Sequence, residues 1–287
     1  MQHRTEKIMF LFSIILALVS AWNLPFMSFI KDLIVLFHEI CHATATILTG
    51  GKVHSILIHG HEAGETLAYP GAIKASFIFS VSAGYIGSSF LGGLILTRGY
   101  GNKYQRYTII MLGLMLILFT WFFSKYHPLT YKTGVIWGII FILTGIISRM
   151  ASATVLIFLG TSISLYSIYD LMDFFQNISN TDAGILAKWF ITRKIFESQA
   201  AGWNERTLGY LIACIWSAIS IGILILFMKA IFFRKYSPLE KSIYNITRNV
   251  VNGNVKPDVA DWFLQRGIDF DGKPLPKELY NNIKKKK

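Results

Sequence analysis

The sequence predicts an all-α polytopic membrane protein with about six to seven membrane helices and a short β-hairpin after the second of them. Composition is the first reason, because the 287 residues are 53% hydrophobic and only 15% charged, and the mean hydropathy is +0.47. Such values are typical of integral membrane proteins rather than of soluble ones. The second reason is that the apolar residues fall into continuous blocks, several of them near the roughly 20 residues that a helix needs to cross a bilayer. A short alternating segment after the second block is the third.

Seven apolar blocks are visible, and the first and fifth are short. They are Ile8–Trp22, Phe26–Leu48, Ala75–Leu96, Tyr107–Phe123, Gly134–Ser148, Ala151–Phe175 and Leu208–Phe233. Basic residues at both ends of the chain favour two cytoplasmic termini, which requires an even number of crossings. Two explanations stay open: the fifth block shares one broken crossing with its successor, or one short block lies at the membrane interface.

The first block also fits a cleavable signal peptide. Basic residues precede it, and the small residues of Val19-Ser20-Ala21 follow its apolar core. Because the chain continues directly through Leu24 and Pro25 into another apolar helix, a retained first span is the favoured interpretation.

Two domains are expected: a helical membrane domain over residues 1–233 and a polar tail over 234–287, small and helical or partly disordered. The tail carries twelve Lys and Arg residues against six Asp and Glu, within a net charge of +12. Basic residues beside a final span usually mark the cytoplasmic side, where anionic lipid headgroups are the expected partner. The positive charge is therefore interpreted as a membrane signal and not as a nucleic-acid signal.

A β-hairpin is predicted after the second block. Gly50-Gly51 is a natural helix end, Lys52–Ile58 alternates in polarity, and Thr66–Tyr69 resumes an extended pattern. The hairpin either lies behind the preceding helix, where its edge could pair with an unwound peptide strand, or forms a surface hairpin outside the membrane.

The second block contains the pattern His-Glu-x-x-His, formed by His38, Glu39, Ile40, Cys41 and His42. Positions i and i+4 lie on one face of a helix, so His38 and His42 can bind one cation, with Glu39 beside them as a general base toward water. Ionisable residues in an apolar helix usually mark a functional site. The pattern therefore predicts a zinc site of the thermolysin type, with Cys41 as a small buried residue.

A catalytic zinc site needs a third protein ligand and an open position. Asp170 and Asp173 are the candidates, because their i, i+3 spacing near the end of an apolar helix lets both face the helix bundle. One would bind the metal, and the other could orient a ligand or water from outside the coordination shell. Two carboxylates that face lipid headgroups are the alternative.

An ordered series of motifs resembles the site-2 protease family of membrane zinc metalloproteases, and in particular its compact branch without a PDZ insertion. The series consists of His38-Glu39-x-x-His42, Thr49-Gly50-Gly51-Lys52-Val53, Gly64-x-Thr66, Gly84-Tyr85-Ile86-Gly87-Ser88, Tyr169-Asp170-x-x-Asp173 and Thr181-Asp182-Ala183. Better-known members carry the third ligand in a Leu-Asp-Gly motif, which this chain lacks. The resemblance therefore assigns the ligand role to Asp170, whereas Asp182 is expected in the first turn of a helix capped by Thr181.

The resemblance implies a zinc-dependent membrane-embedded endopeptidase, with Zn²⁺ on His38, His42 and Asp170 and with Glu39 as the catalytic base. Its substrates would be membrane or membrane-proximal segments of other proteins. The alternative is a non-proteolytic membrane scaffold or receptor subunit that retains the metal site. Glu39 argues against that alternative, because a structural site needs ligands but no base.

Overall fold

The computed structural model describes residues 2–60, 62–101, 103–169, 178–193 and 204–233, and, nearer the carboxyl terminus, residues 242, 245–246, 249–250, 253–270 and 272–277. The chain divides into two compact units, Met1–Phe232 and Phe233–Lys287. The assignment of residues 1–233 to a protease-like domain and of 234–287 to a basic tail stays a prediction about their roles.

Seven of the eight described helices of the first unit follow the predicted apolar blocks, and the remaining one begins at the helix start predicted at Thr181-Asp182. In chain order, the helices are α1 (Gln2–Ala21), α2 (Ser28–Leu48), α3 (Lys74–Gly99), α4 (Gln105–Phe123), α5 (Pro128–Ile147), α6 (Arg149–Tyr169), α7 (Asp182–Thr192) and α8 (Glu205–Phe232). Together with one two-stranded hairpin, this architecture confirms the predicted class, an all-α polytopic membrane protein.

Within the described residues, five helices are long and apolar enough to cross a membrane: α3, α4, α5, α6 and α8. A sixth span results if α1 and α2 count as one, although the pair is bent by 112°. Pro25 begins the 3₁₀ turn that separates these two helices. A crossing shared by the fifth block and its successor, one of the two explanations left open, is not observed in the described residues, since α5 starts at Pro128 and reaches 20 residues by itself.

The end of α2 forms a Schellman motif that turns the chain into the hairpin. The Gly51 amide donates to the Thr46 carbonyl and the Gly50 amide donates to the Ile47 carbonyl. Gly50 has a φ of +79°, a conformation that glycine adopts without steric cost. This confirms the predicted helix end.

The hairpin consists of β1 (Lys52–Gly60) and β2 (Ala63–Tyr69), paired antiparallel. It packs along α2, and Ser55, Ile56 and Ile58 are buried. The end of α4 and the start of α5 contact β1 on its other side. Ser124 donates to the Ile56 carbonyl and Thr130 of α5 accepts from the Ile58 amide, both at 2.8 Å. The hairpin therefore packs behind α2 with one face buried, whereas Leu67 and Tyr69 of β2 are exposed. Its position relative to the membrane stays a prediction.

Small residues on α3 let two neighbouring helices approach closely. Gly87 lies against Cys41 of α2, whereas Gly92 lies against Gly160 and Ser164 of α6. Helices in lipid use such positions to bring backbones together. Small residues of α3 therefore serve the packing of both α2 and α6.

The second unit contains the helix α9 (Pro257–Gln265) and a turn that folds back on it. The Phe263 ring packs edge-on against Phe270 at 5.5 Å, and the Leu275 amide donates to the Gly267 carbonyl at 2.7 Å.

Candidate metal centre

Helix α2 places His38, Glu39 and His42 in the protein interior, where each exposes 8% of its surface or less. The His42 Nδ1–H donates to the Ser80 carbonyl of α3 at 2.7 Å, because a carbonyl can only accept. This hydrogen bond leaves the Nε2 lone pair of His42 available to a cation. Metal-ligating histidines are commonly oriented in this way.

Asp182 brings a carboxylate to the two histidines. Its Oδ2 atom lies 3.0 Å from His42 Nε2 and 3.3 Å from His38 Nε2. Asp182 begins α7, and the Thr181 hydroxyl caps that helix by accepting from the Gly184 amide at 3.4 Å. The predicted helix start is confirmed, and the first turn of this helix also carries its acidic side chain into the cluster.

The three donors have a spacing that suits one small cation. The ligand atoms of His38, His42 and Asp182 lie within 4.8 Å of one another. Zinc bonds of about 2.0–2.2 Å in a tetrahedral arrangement would separate neighbouring ligand atoms by roughly 3.3 Å. The two measured His–Asp separations agree with that value, and two imidazoles with one carboxylate form a known donor set for zinc.

Space for a cation is maintained by a glycine of α3. A Cβ atom built on Gly84 would collide with both His38 Nε2 and His42 Nε2. Only hydrogen at this position leaves both lone pairs accessible. Gly84, a member of the motif series, therefore borders the candidate metal position.

Replacing Gly84 with alanine is expected to weaken zinc binding at least ~10-fold, because the new methyl group occupies the space in front of both ligand atoms. Zinc content of the purified protein, measured across a titration with a competing chelator, checks this. Gly222→Ala is the matched control, since a Cβ there meets nothing within 4 Å. Equal affinity in both variants would show that Gly84 serves packing alone.

The charge of the Asp182 side chain depends on the two histidines beside it. Burial raises the pKa of the Asp182 carboxyl, but the neighbouring His42 and His38 imidazoles outweigh this effect and lower the pKa well below its usual range. The cluster therefore favours the ionised form of the Asp182 carboxyl, which is the form that binds cations.

A cavity of about 390 Å³ opens beside the cluster. Glu39, His42 and Asp182 lie on one side of it, and the five consecutive residues Gly64–Ala68 of β2 lie on another. Successive side chains of a strand point to opposite faces. Since residues of both faces border the same cavity, the cavity follows the edge of β2.

Asp170 and Asp173 lie outside the described residues, so their predicted roles stay predictions. Cys41 takes no part in the cluster, because its sulfur lies 4.0 Å from the Ser88 hydroxyl on another side of α2. In the hairpin, His59 pairs with Glu65 at 3.1 Å, and both are exposed. In the sequence, Asp182 belongs to the Thr181-Asp182-Ala183 motif of the resemblance and to a predicted helix start, and the resemblance assigns the ligand role to Asp170 instead. Asp182 lies 140 positions after His42, so their proximity is not visible in the sequence.

Apolar helices around a buried His-His-carboxylate cluster with an adjacent glutamate define an integral membrane protein with a candidate metal site. A family model described as Peptidase M50B-like matches residues 11–227, which is most of the chain. The chain therefore belongs to this family, which is one of site-2 protease-like peptidases. Comparisons with curated proteins and with solved structures gave no significant match.

Proposed function

We propose that the protein is a zinc-dependent endopeptidase that hydrolyses peptide bonds in membrane or membrane-proximal segments of other proteins. The observation that carries the proposal is the buried cluster of His38, His42 and Asp182 with Glu39 beside it. His38, His42 and Asp182 would hold Zn²⁺, which when bound acidifies water and polarises a carbonyl group.

Glu39 supplies the acid–base chemistry. Its carboxylate, in the wall of the cavity, accepts a proton from the attacking water and later donates it to the leaving amine. The low exposure of Glu39 excludes most bulk water, which strengthens its interaction with charge that develops nearby.

Strand β2 offers a way to bind the substrate backbone. Its one strand partner among the described residues is β1, and its other edge borders the cavity. An extended peptide can add to such an edge through main-chain hydrogen bonds. A membrane helix must unwind locally to do so, and substrates are therefore expected to contain helix-weakening residues near the cleaved bond.

The basic tail supports a proposal for orientation. Its excess of Lys and Arg over Asp and Glu follows the last span, which favours a cytoplasmic location and contact with anionic lipid headgroups.

Metal removal tests the proposed activity. Purified protein in vesicles should cleave at least one member of a panel of single-span reporter proteins, lose cleavage with a zinc chelator, and recover it when zinc is restored. His38→Ala should be inactive with or without added zinc. A zinc-loaded wild type that cleaves no panel member would favour the non-proteolytic scaffold instead.

A further inference from the structure

The side chain of Glu39 needs an anchor that α2 does not supply. A glutamate has three rotatable side-chain bonds, and a general base must be held within about 0.5 Å of a productive geometry. The residues that contact the Glu39 carboxylate come from β2, a separate element in the sequence.

Thr66 of β2 makes the most direct of these contacts. Its hydroxyl oxygen lies 2.7 Å from Glu39 Oε2 and 3.1 Å from the Glu39 carbonyl oxygen. A hydroxyl that donates to a carboxylate forms a strong, charge-assisted hydrogen bond. Because a hydroxyl has one proton and the carboxylate is the nearer acceptor, Thr66 constrains mainly the end of the Glu39 side chain.

Gly64, two residues away on the same face of β2, leaves space for the other carboxylate oxygen of Glu39. A Cβ atom built there would lie 2.8 Å from Glu39 Oε1 and 2.6 Å from the Val35 side chain. Because residues i and i+2 of a strand share a face, one short segment both binds Oε2 and leaves room for Oε1.

We infer that Thr66 is a positioning residue for Glu39: its hydroxyl holds one carboxylate oxygen so that the other can exchange a proton with water during peptide hydrolysis. This inference rests on the proposed function. It also gives the hairpin a second role: β2, whose edge would bind the substrate backbone, also orients the base Glu39.

The decisive variant is Thr66→Val, which keeps the β-branched shape and removes the hydroxyl. The expected result is a ~10–100-fold lower kcat, the range typical of supporting residues around a metal site, with unchanged KM and zinc content. KM is expected to stay at the wild-type value, because the substrate backbone would pair with the backbone of β2 and not with the Thr66 side chain. Thr66→Ser restores the hydroxyl and should recover most of the kcat.

Two further variants separate positioning from general packing. Gly64→Ala keeps the Thr66 hydroxyl but crowds Oε1, and it should also lower kcat without loss of zinc. Thr161→Val removes a buried threonine hydroxyl that donates to the Ile157 carbonyl of α6, away from Glu39, and should retain the wild-type kcat.

The measurements are kcat and KM on the reporter that the wild type cleaves best, with zinc content and thermal stability in detergent. An unchanged kcat in Thr66→Val, no recovery in Thr66→Ser, or an equal loss in Thr161→Val would overturn the inference and leave the proposed function intact. If Thr66→Val does not fold, an unchanged kcat in Gly64→Ala overturns it. If the zinc-loaded wild type hydrolyses no reporter, both the inference about Thr66 and the proposed function are overturned.

Discussion

Glu39→Gln is expected to lower the rate of peptide hydrolysis strongly while the metal stays bound. The amide has nearly the shape of the carboxylate and can still accept the Thr66 hydrogen bond, but it cannot take a proton from water. General acid–base catalysis typically contributes 10²–10⁴-fold to rate, so a loss of about that size is expected. The cleavage rate and the zinc content, measured on the same preparation, check the loss of hydrolysis and the retention of the metal.

Glu205→Gln in the first turn of α8 is a suitable control, because it makes the same chemical change away from the cavity. If Glu39→Gln cleaves the reporter near the wild-type rate, Glu39 is not the base. If it loses its zinc, the carboxylate contributes to metal binding instead.

Asp182→Asn is expected to cause the largest loss of zinc among the three aspartate variants. A ligating carboxylate bonds directly to the metal, whereas a residue that supports a ligand changes affinity by only ~10–100-fold. Zinc content, and the change in thermal stability on adding chelator, would rank Asp182→Asn against Asp170→Asn and Asp173→Asn.

The same experiment tests the sequence-based expectation that Asp170 is the third ligand. Loss of zinc in Asp170→Asn alone, with full occupancy in Asp182→Asn, would return the ligand role to Asp170. Loss in both would favour Asp182 as ligand and Asp170 as support for one of the histidines. Among the described residues, no partner accepts from His38 Nδ1, so that atom has capacity for such a contact.

Much of the fold could be predicted because its determinants are local. Apolar blocks of membrane-spanning length predicted the helices. Gly50-Gly51, followed by alternating polar and apolar residues, predicted the hairpin. The start of α5 could not be predicted from apolarity alone, because Thr130, Lys132 and Thr133 interrupt the apolar pattern. In the structure Pro128 begins the helix, and Thr130 and Thr133 are buried against protein instead of lipid.

The sequence by itself determined the half of the site that one helix contains. A four-residue spacing on α2 places His38 and His42 on one face, and Glu39 follows between them, whatever surrounds the helix. Tertiary structure alone decided which carboxylate approaches the histidines and which hydroxyl contacts Glu39. The partners Asp182 and Thr66 lie 140 and 27 residues away along the chain from His42 and Glu39, so their proximity depends on how α7 and β2 pack around α2.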